Sequence, residues 1–206
     1  MKAVFEERNP ITKRLKEAVK PTPLRRRVTL ALSAMKIQIR RLENTLHQLE
    51  RRDKDLYQKC VGALQNKNSP LAAMYANECA EVRKIAKLTL ASQLALERVA
   101  LRLETIREFG DIAYNMSAAT QVVTAIKNNL QNIVPEVSMK LEEINDNLES
   151  MIFEVGEATE STLNLTPTAE ADKILKEANI LAEQKLREEF PELPEYKVEE
   201  GTKEQR

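Results

Sequence analysis

The chain has 206 residues, 32 Lys/Arg against 32 Asp/Glu, and only 4 Gly with 4% aromatics; glycine usage so far below the ordinary level of roughly 7% argues against turn-rich sheet folds and for an all-α one. Two cysteines give neither a disulfide framework nor metal-ligand spacing. With no secretory core near Ala3, Val4 and Phe5 and no run of 18 apolar residues, the expectation is a reduced, cytoplasmic protein that neither spans nor crosses a membrane. Charge is segregated: residues 1–67 hold 17 basic and 7 acidic side chains, residues 68–131 hold 7 and 6, and residues 132–206 hold 8 and 19. A basic end that meets an anionic partner, and an acidic end able to compete for the same surface, follow from that asymmetry.

In chain order, residues 1–23 read as a basic, weakly amphipathic segment with Ile11, Leu15, Ala18 and Val19 on one stripe, closed by Pro21-Thr22-Pro23. From Leu24 to Gly62 there is neither Gly nor Pro before the final residue. Met35, Leu42, Leu49 and Leu56 recur every seven residues beside Leu32, Ile39, Leu46 and Cys60, a seam broken only at Asp53. The turn Asn66-Lys67-Asn68-Ser69-Pro70 follows, with Ser69 expected as the N-cap and Pro70 as the first helical residue. A second run, Leu71 to Phe109, matches the first in length, so the pair predicts a long antiparallel hairpin. Its arm carries Val82, Ile85, Leu96, Val99, Leu103 and Ile106 on one stripe, with Thr89 and Ser92 completing it. Leu90, Leu94 and Leu101 lie on a flank that further helices or further copies must cover. Gly110 marks a break, a third helix runs from Ile112 to Ile133, and an acidic fourth from Glu136 to Gly156. The expected division is therefore a basic segment over 1–23, a helical core over 24–156, a linker over 157–167, a last helix with an extended end over 168–196, and a charged, disordered tail over 197–206.

No catalytic constellation is legible. His47 lies four residues after Glu43 and three before Glu50, but the Glu-x-x-His of a di-iron bundle would need a carboxylate where Asn44 stands, and the second such motif is absent. There is no phosphate loop and no nucleophile elbow, so the expectation is no cofactor, no metal, no small-molecule substrate and no enzyme. The basic face of the first helix is different. Arg25, Arg26 and Arg27 in its first turn oppose the macrodipole at about 0.3 to 1 kcal/mol each, and Lys36, Arg40 and Arg41 repeat the charge. A solvated surface is the ordinary reading of such a run. An anionic membrane would supply about 1 kcal/mol per surface cation. Nucleic acid would satisfy the same charges, though no recognition motif accompanies them. A soluble coiled-coil adaptor, its charges only setting helix register, is the alternative to a membrane protein.

Together, PLRRRVTLALSAMKIQIRRLENTL, the long hairpin, the acidic fourth helix and the tail ILKEANILAEQKLREEFPELPEY resemble the ESCRT-III (Snf7-domain) family over residues 15–196, and most closely the short archaeal members of the Cdv cell-division system. The resemblance implies a membrane-remodelling filament subunit that polymerises on membrane necks, constricts and severs them, and is dismantled by a Vps4-type AAA ATPase. It implies lipid contact through Arg25, Arg26, Arg27, Lys36, Arg40 and Arg41, self-association, ESCRT-III paralogs as partners, and a place on the inner face of the cell membrane at the division site. It further implies that the acidic C-terminal region folds back in the closed monomer. Docking to the ATPase's MIT domain takes a helical or an extended, proline-containing form in that family. Here Ala182, Lys185, Leu186 and Phe190 fit the helical form poorly, whereas Phe190, Pro191, Leu193 and Pro194 suit the extended one.

Overall fold

The computed structural model describes residues 24–109, 112–159 and 168–193, which form five helices and no strand. The expected basic segment over 1–23, most of the linker, Gly110 and the tail lie outside the described residues. Helices α1 (Leu24–Gln65) and α2 (Ser69–Phe109) make the hairpin, α1 being about 63 Å long at 1.5 Å per residue. The seven-residue seam is what joins them. Met35, Leu42 and Cys60 are completely buried, Leu32 and Leu46 nearly so; Leu32, Met35 and Leu42 meet Leu96, Val99 and Leu103 of α2, while Leu46 meets Ala86, Leu90 and Ala91 and Cys60 meets Ala72 and Ala76. Thr89 and Ser92 lie buried on the same stripe because their hydroxyls donate to the carbonyls of Ile85 and Leu88 one turn back, at 2.9 and 2.8 Å.

The connecting turn departs from expectation by one residue. Asn68, not Ser69, caps α2: its side-chain oxygen accepts from the Leu71 amide at 3.2 Å, while its carbonyl takes the Ala72 amide at 3.0 Å. Pro70 thus falls at the second helical position, where a missing N–H is still harmless. On the other side α1 ends in a Schellman arrangement, with Asn68 N–H donating to Ala63 and Lys67 N–H to Leu64, both at 2.9 Å. Lys67 holds φ at 55°, in the left-handed region that favours glycine. Lys67→Gly is therefore expected to raise stability by about 0.5 to 1 kcal/mol, read as an upward shift of the urea midpoint with unchanged slope.

Helix α3 (Ile112–Leu130) stops three residues earlier than expected, because the amides of Ile133 and Val134 turn back onto the Leu130 carbonyl. Pro135 then opens α4 (Pro135–Thr159), whose first bonds run from Val137 and Ser138 to the Val134 carbonyl. Helix α5 (Thr168–Glu189) returns along the hairpin. Helices α3 and α4 pack on each other, α3 on α2, α4 on α1, and α5 on α2 and α3. The main core lies at the open end of the hairpin, where Val28, Met35, Leu96 and Leu103 meet Met116, Ile126, Leu141, Leu148, Met151 and Ile174. Toward the turn the packing thins to small residues, with Cys60 and Ala63 against Ala72 and Ala76. Of the flank expected to need a cover, Leu90 is buried by α5 and Leu94 partly so, while Leu101 stays 61% exposed.

Candidate membrane face and C-terminal docking contact

The six cations of α1 divide into two sets. Arg27, only 18% exposed, reaches α4: its Nη1 lies 2.5 Å from Glu154 Oε1 and its Nη2 donates to Ser150 Oγ at 3.1 Å. Arg41 pairs with Glu136 at the other end of α4, at 3.7 Å, and Lys36 pairs with Glu104 of α2. Arg25, Arg26 and Arg40 are exposed and carry no ion pair among the described residues. Helix α4 therefore supplies counter-charge to two of the six, and since α1 has no acidic residue in its first turn, only Arg27 is answered there. The exposed pair of Arg41 with Glu136 stabilises by at most about 1 kcal/mol, and Arg27 adds one partly exposed pair with Glu154, so α4 is held mainly by its apolar stripe.

Helix α5 presents Ala171, Ile174, Ala178 and Ala182 to the hairpin and zips its rim with charge. Arg102 pairs with Glu170 at 2.6 Å, Arg98 with Glu177 at 2.8 Å and Lys87 with Glu183 at 3.0 Å. Lys87 and Arg187 both donate to Glu183 and hold its carboxyl below the ordinary carboxylate value. That contribution is complete above the ordinary value and is lost only as pH falls through the lowered one, so it is intact at neutral pH.

One arginine joins the hairpin to the end of α5. Arg83 Nε and Nη2 donate to the two carboxylate oxygens of Asp53 at 2.7 and 3.0 Å, its Nη1 donates to the Pro191 carbonyl at 2.6 Å, and its guanidinium carbon lies 5.4 Å from the Phe190 ring centroid. Asp53, the residue that breaks the seam, is 2% exposed and is neutralised by this fork. The sequence held a signal for it: Asp53 and Arg83 are equidistant from the turn, so an antiparallel hairpin sets them face to face. Phe190 also packs against Leu46, Ala86, Leu90 and Ala91. Open cavities of about 530 and 700 Å³ flank Phe190 and Pro191, one lined by Lys84, Lys87 and Arg187, the other by His47, Tyr57 and Gln58. Leu193 is half-buried, and Pro194 lies outside the described residues. In this conformation Ala182, Leu186 and Phe190 all face the hairpin.

His47 makes an ordinary contact with Glu50 at 3.0 Å, which raises the imidazole's pKa, and among the described residues no cluster of His, Cys, Asp or Glu could hold a metal ion. Cys60 and Cys79 are free and buried; burial first, and Asp53 second, push the Cys79 thiol up to about 11, so it stays protonated at neutral pH. No helix among the described residues is long and apolar enough to cross a membrane.

No protein-family model matches the chain, and no solved structure does. Cell division protein B1 of Sulfolobus acidocaldarius is 40% identical over 173 residues, covering 84% of this chain and 81% of that protein. The chain belongs to the archaeal, ESCRT-III-like Cdv cell division protein B family. Cell division protein B of the same organism is 33% identical over 161 residues, 78% of this chain but 62% of that longer protein. For a Cdv protein the all-helical fold described here agrees with the resemblance drawn from the sequence. The acidic α4 and α5 of this Cdv member lie folded on its hairpin, with Glu136, Glu154, Glu170, Glu177 and Glu183 each set against a cation.

Proposed function

We propose that this protein is a non-enzymatic filament subunit of archaeal cell division, which binds anionic membrane from the cytoplasmic side through α1 and polymerises to constrict and sever membrane necks. The observation that carries the reading is the division of the α1 cations: Arg25, Arg26 and Arg40 are left exposed and without ion pairs among the described residues, while Arg27, Lys36 and Arg41 are held by carboxylates. The closed packing of α4 on α1 supports an opening step that would add Arg27 and Arg41 to the exposed set. Self-association and pairing with paralogs of the same family would follow opening. Phe190, Pro191, Leu193 and Pro194 are the proposed docking segment for the MIT domain of a Vps4-type AAA ATPase, released with α5.

Reversing Arg25, Arg26 and Arg40 to Glu together is expected to weaken co-sedimentation with phosphatidylserine vesicles by about a hundredfold or more at low salt, at about 1 kcal/mol per cation. Unchanged co-sedimentation would remove the lipid role from this face. Equal affinity of the unaltered chain for DNA and for the vesicles would favour nucleic acid instead.

A further inference from the structure

The exposed face of α1 is not uniformly polar. Between the seams to α2 and α4 runs a line at three- and four-residue steps, Arg26, Leu30, Ser33, Ile37, Arg40 and Asn44, every member of it exposed. Leu30 is 58% and Ile37 52% exposed, two large aliphatic side chains about 10 Å apart along the helix with an arginine beyond each. Continued through Gln48 and Arg51, the line meets no carboxylate until Asp55. The residues that sequence periodicity marks as apolar on α1 belong to its buried seam; Leu30 and Ile37 lie off that seam, on the basic face.

An apolar pair in a cationic, carboxylate-free line constrains its occupant. A second copy laid on it stripe to stripe would set Arg26, Arg40 and Arg51 against their equivalents with no anion between, which is repulsive. An anionic bilayer meets both halves of the chemistry, phosphate for the guanidinium groups and acyl chain for the aliphatic ones.

Resting on the reading of α1 as the membrane face, we propose that Leu30 and Ile37 enter the acyl boundary of an anionic phospholipid bilayer while Arg25, Arg26 and Arg40 hold its headgroup phosphates. Helix α1 then lies in the interface, and part of the binding survives salt that screens the arginines. Both residues are largely in water, so changing them leaves the core untouched.

The test uses the full chain and vesicles of phosphatidylserine with phosphatidylcholine, at low salt and at about 0.5 M, where the screening length is only several ångströms. Leu30→Ser with Ile37→Ser is expected to weaken partitioning about tenfold at low salt and to abolish the fraction that persists at high salt. The chain has no tryptophan, so the indole introduced by Leu30→Trp reports alone, and its emission is expected to shift to the blue on adding vesicles. If the serine variant binds as the unaltered chain does at both salts and the indole does not shift, the apolar contact is refuted while the electrostatic reading stands. If reversal of the three arginines leaves binding intact, the membrane reading of α1 itself falls. If the serine variant changes the sedimentation coefficient without vesicles yet keeps its vesicle binding, the line is an interface between copies and the proposal is overturned.

Discussion

Arg83→Leu is expected to lower the unfolding free energy by about 3 to 5 kcal/mol, the cost of leaving a buried carboxylate without its partner. Asp53 sits on the apolar seam of α1 at 2% exposure, and both of its oxygens accept from the single guanidinium of Arg83. Nothing else among the described residues offers it a charge. Arg83→Lys is not a mild change, since an ammonium cannot span both oxygens while also reaching the Pro191 carbonyl. The double variant Asp53→Leu with Arg83→Leu is expected to recover most of the loss, because it restores an apolar residue at the one heptad position that lacks it. Urea unfolding of the two single variants and the double closes the cycle. A loss under 1 kcal/mol in Arg83→Leu, or a double variant no better than either single one, would show that water already reaches Asp53.

What the sequence made legible was the part fixed by period. The seven-residue recurrence of Met35, Leu42, Leu49 and Leu56 and the matching length of the second run led to the hairpin, since two equal arms joined by a short turn bury such a seam only against each other. Caps were less legible: Asn68 and Ser69 are both good N-caps, and only the left-handed Lys67 decides which oxygen faces the free amides. The third helix ended early for a similar reason, as the Leu130 carbonyl can close a turn that no side chain announces. In the sequence the six cations of the candidate membrane face are indistinguishable. Their division depends on the register of α4 against α1, where Glu154 meets Arg27 and Glu136 meets Arg41, and a single sequence carries no signal for that pairing. Leu30 and Ile37 are illegible for a different reason: they lie off the seven-residue seam, and whether an aliphatic residue there is covered or exposed is decided only by the placement of its neighbours.

Ala182→Glu is expected to detach the second half of α5 while the rest of the fold persists. Ala182 is completely buried, close against Leu46, Ala86, Leu90 and Ala91, and small residues there allow α5 to lie near the hairpin. A glutamate at that place must bury an uncompensated carboxylate or push the helix away, and moving the helix is the cheaper course. Beyond Ala182 the described contacts are few: Leu186 and Phe190 on the second apolar cluster, the rim pair of Lys87 with Glu183, and the Arg83 contact to Pro191. Before it, Ile174 in the main core and the pairs of Arg102 and Arg98 hold the first half in place. Hydrogen exchange should therefore lose protection from about Ala178 to Phe190 and keep it across α1 and α2. Protection of the whole of α5, or its loss throughout the chain, would contradict this. Both Ala182→Glu and Arg83→Leu free Phe190 and Pro191, but only the second leaves Asp53 unpaired. If release of this segment is the step that permits assembly, sedimentable polymer should increase in Ala182→Glu at nearly unchanged hairpin stability, which separates opening from mere destabilisation.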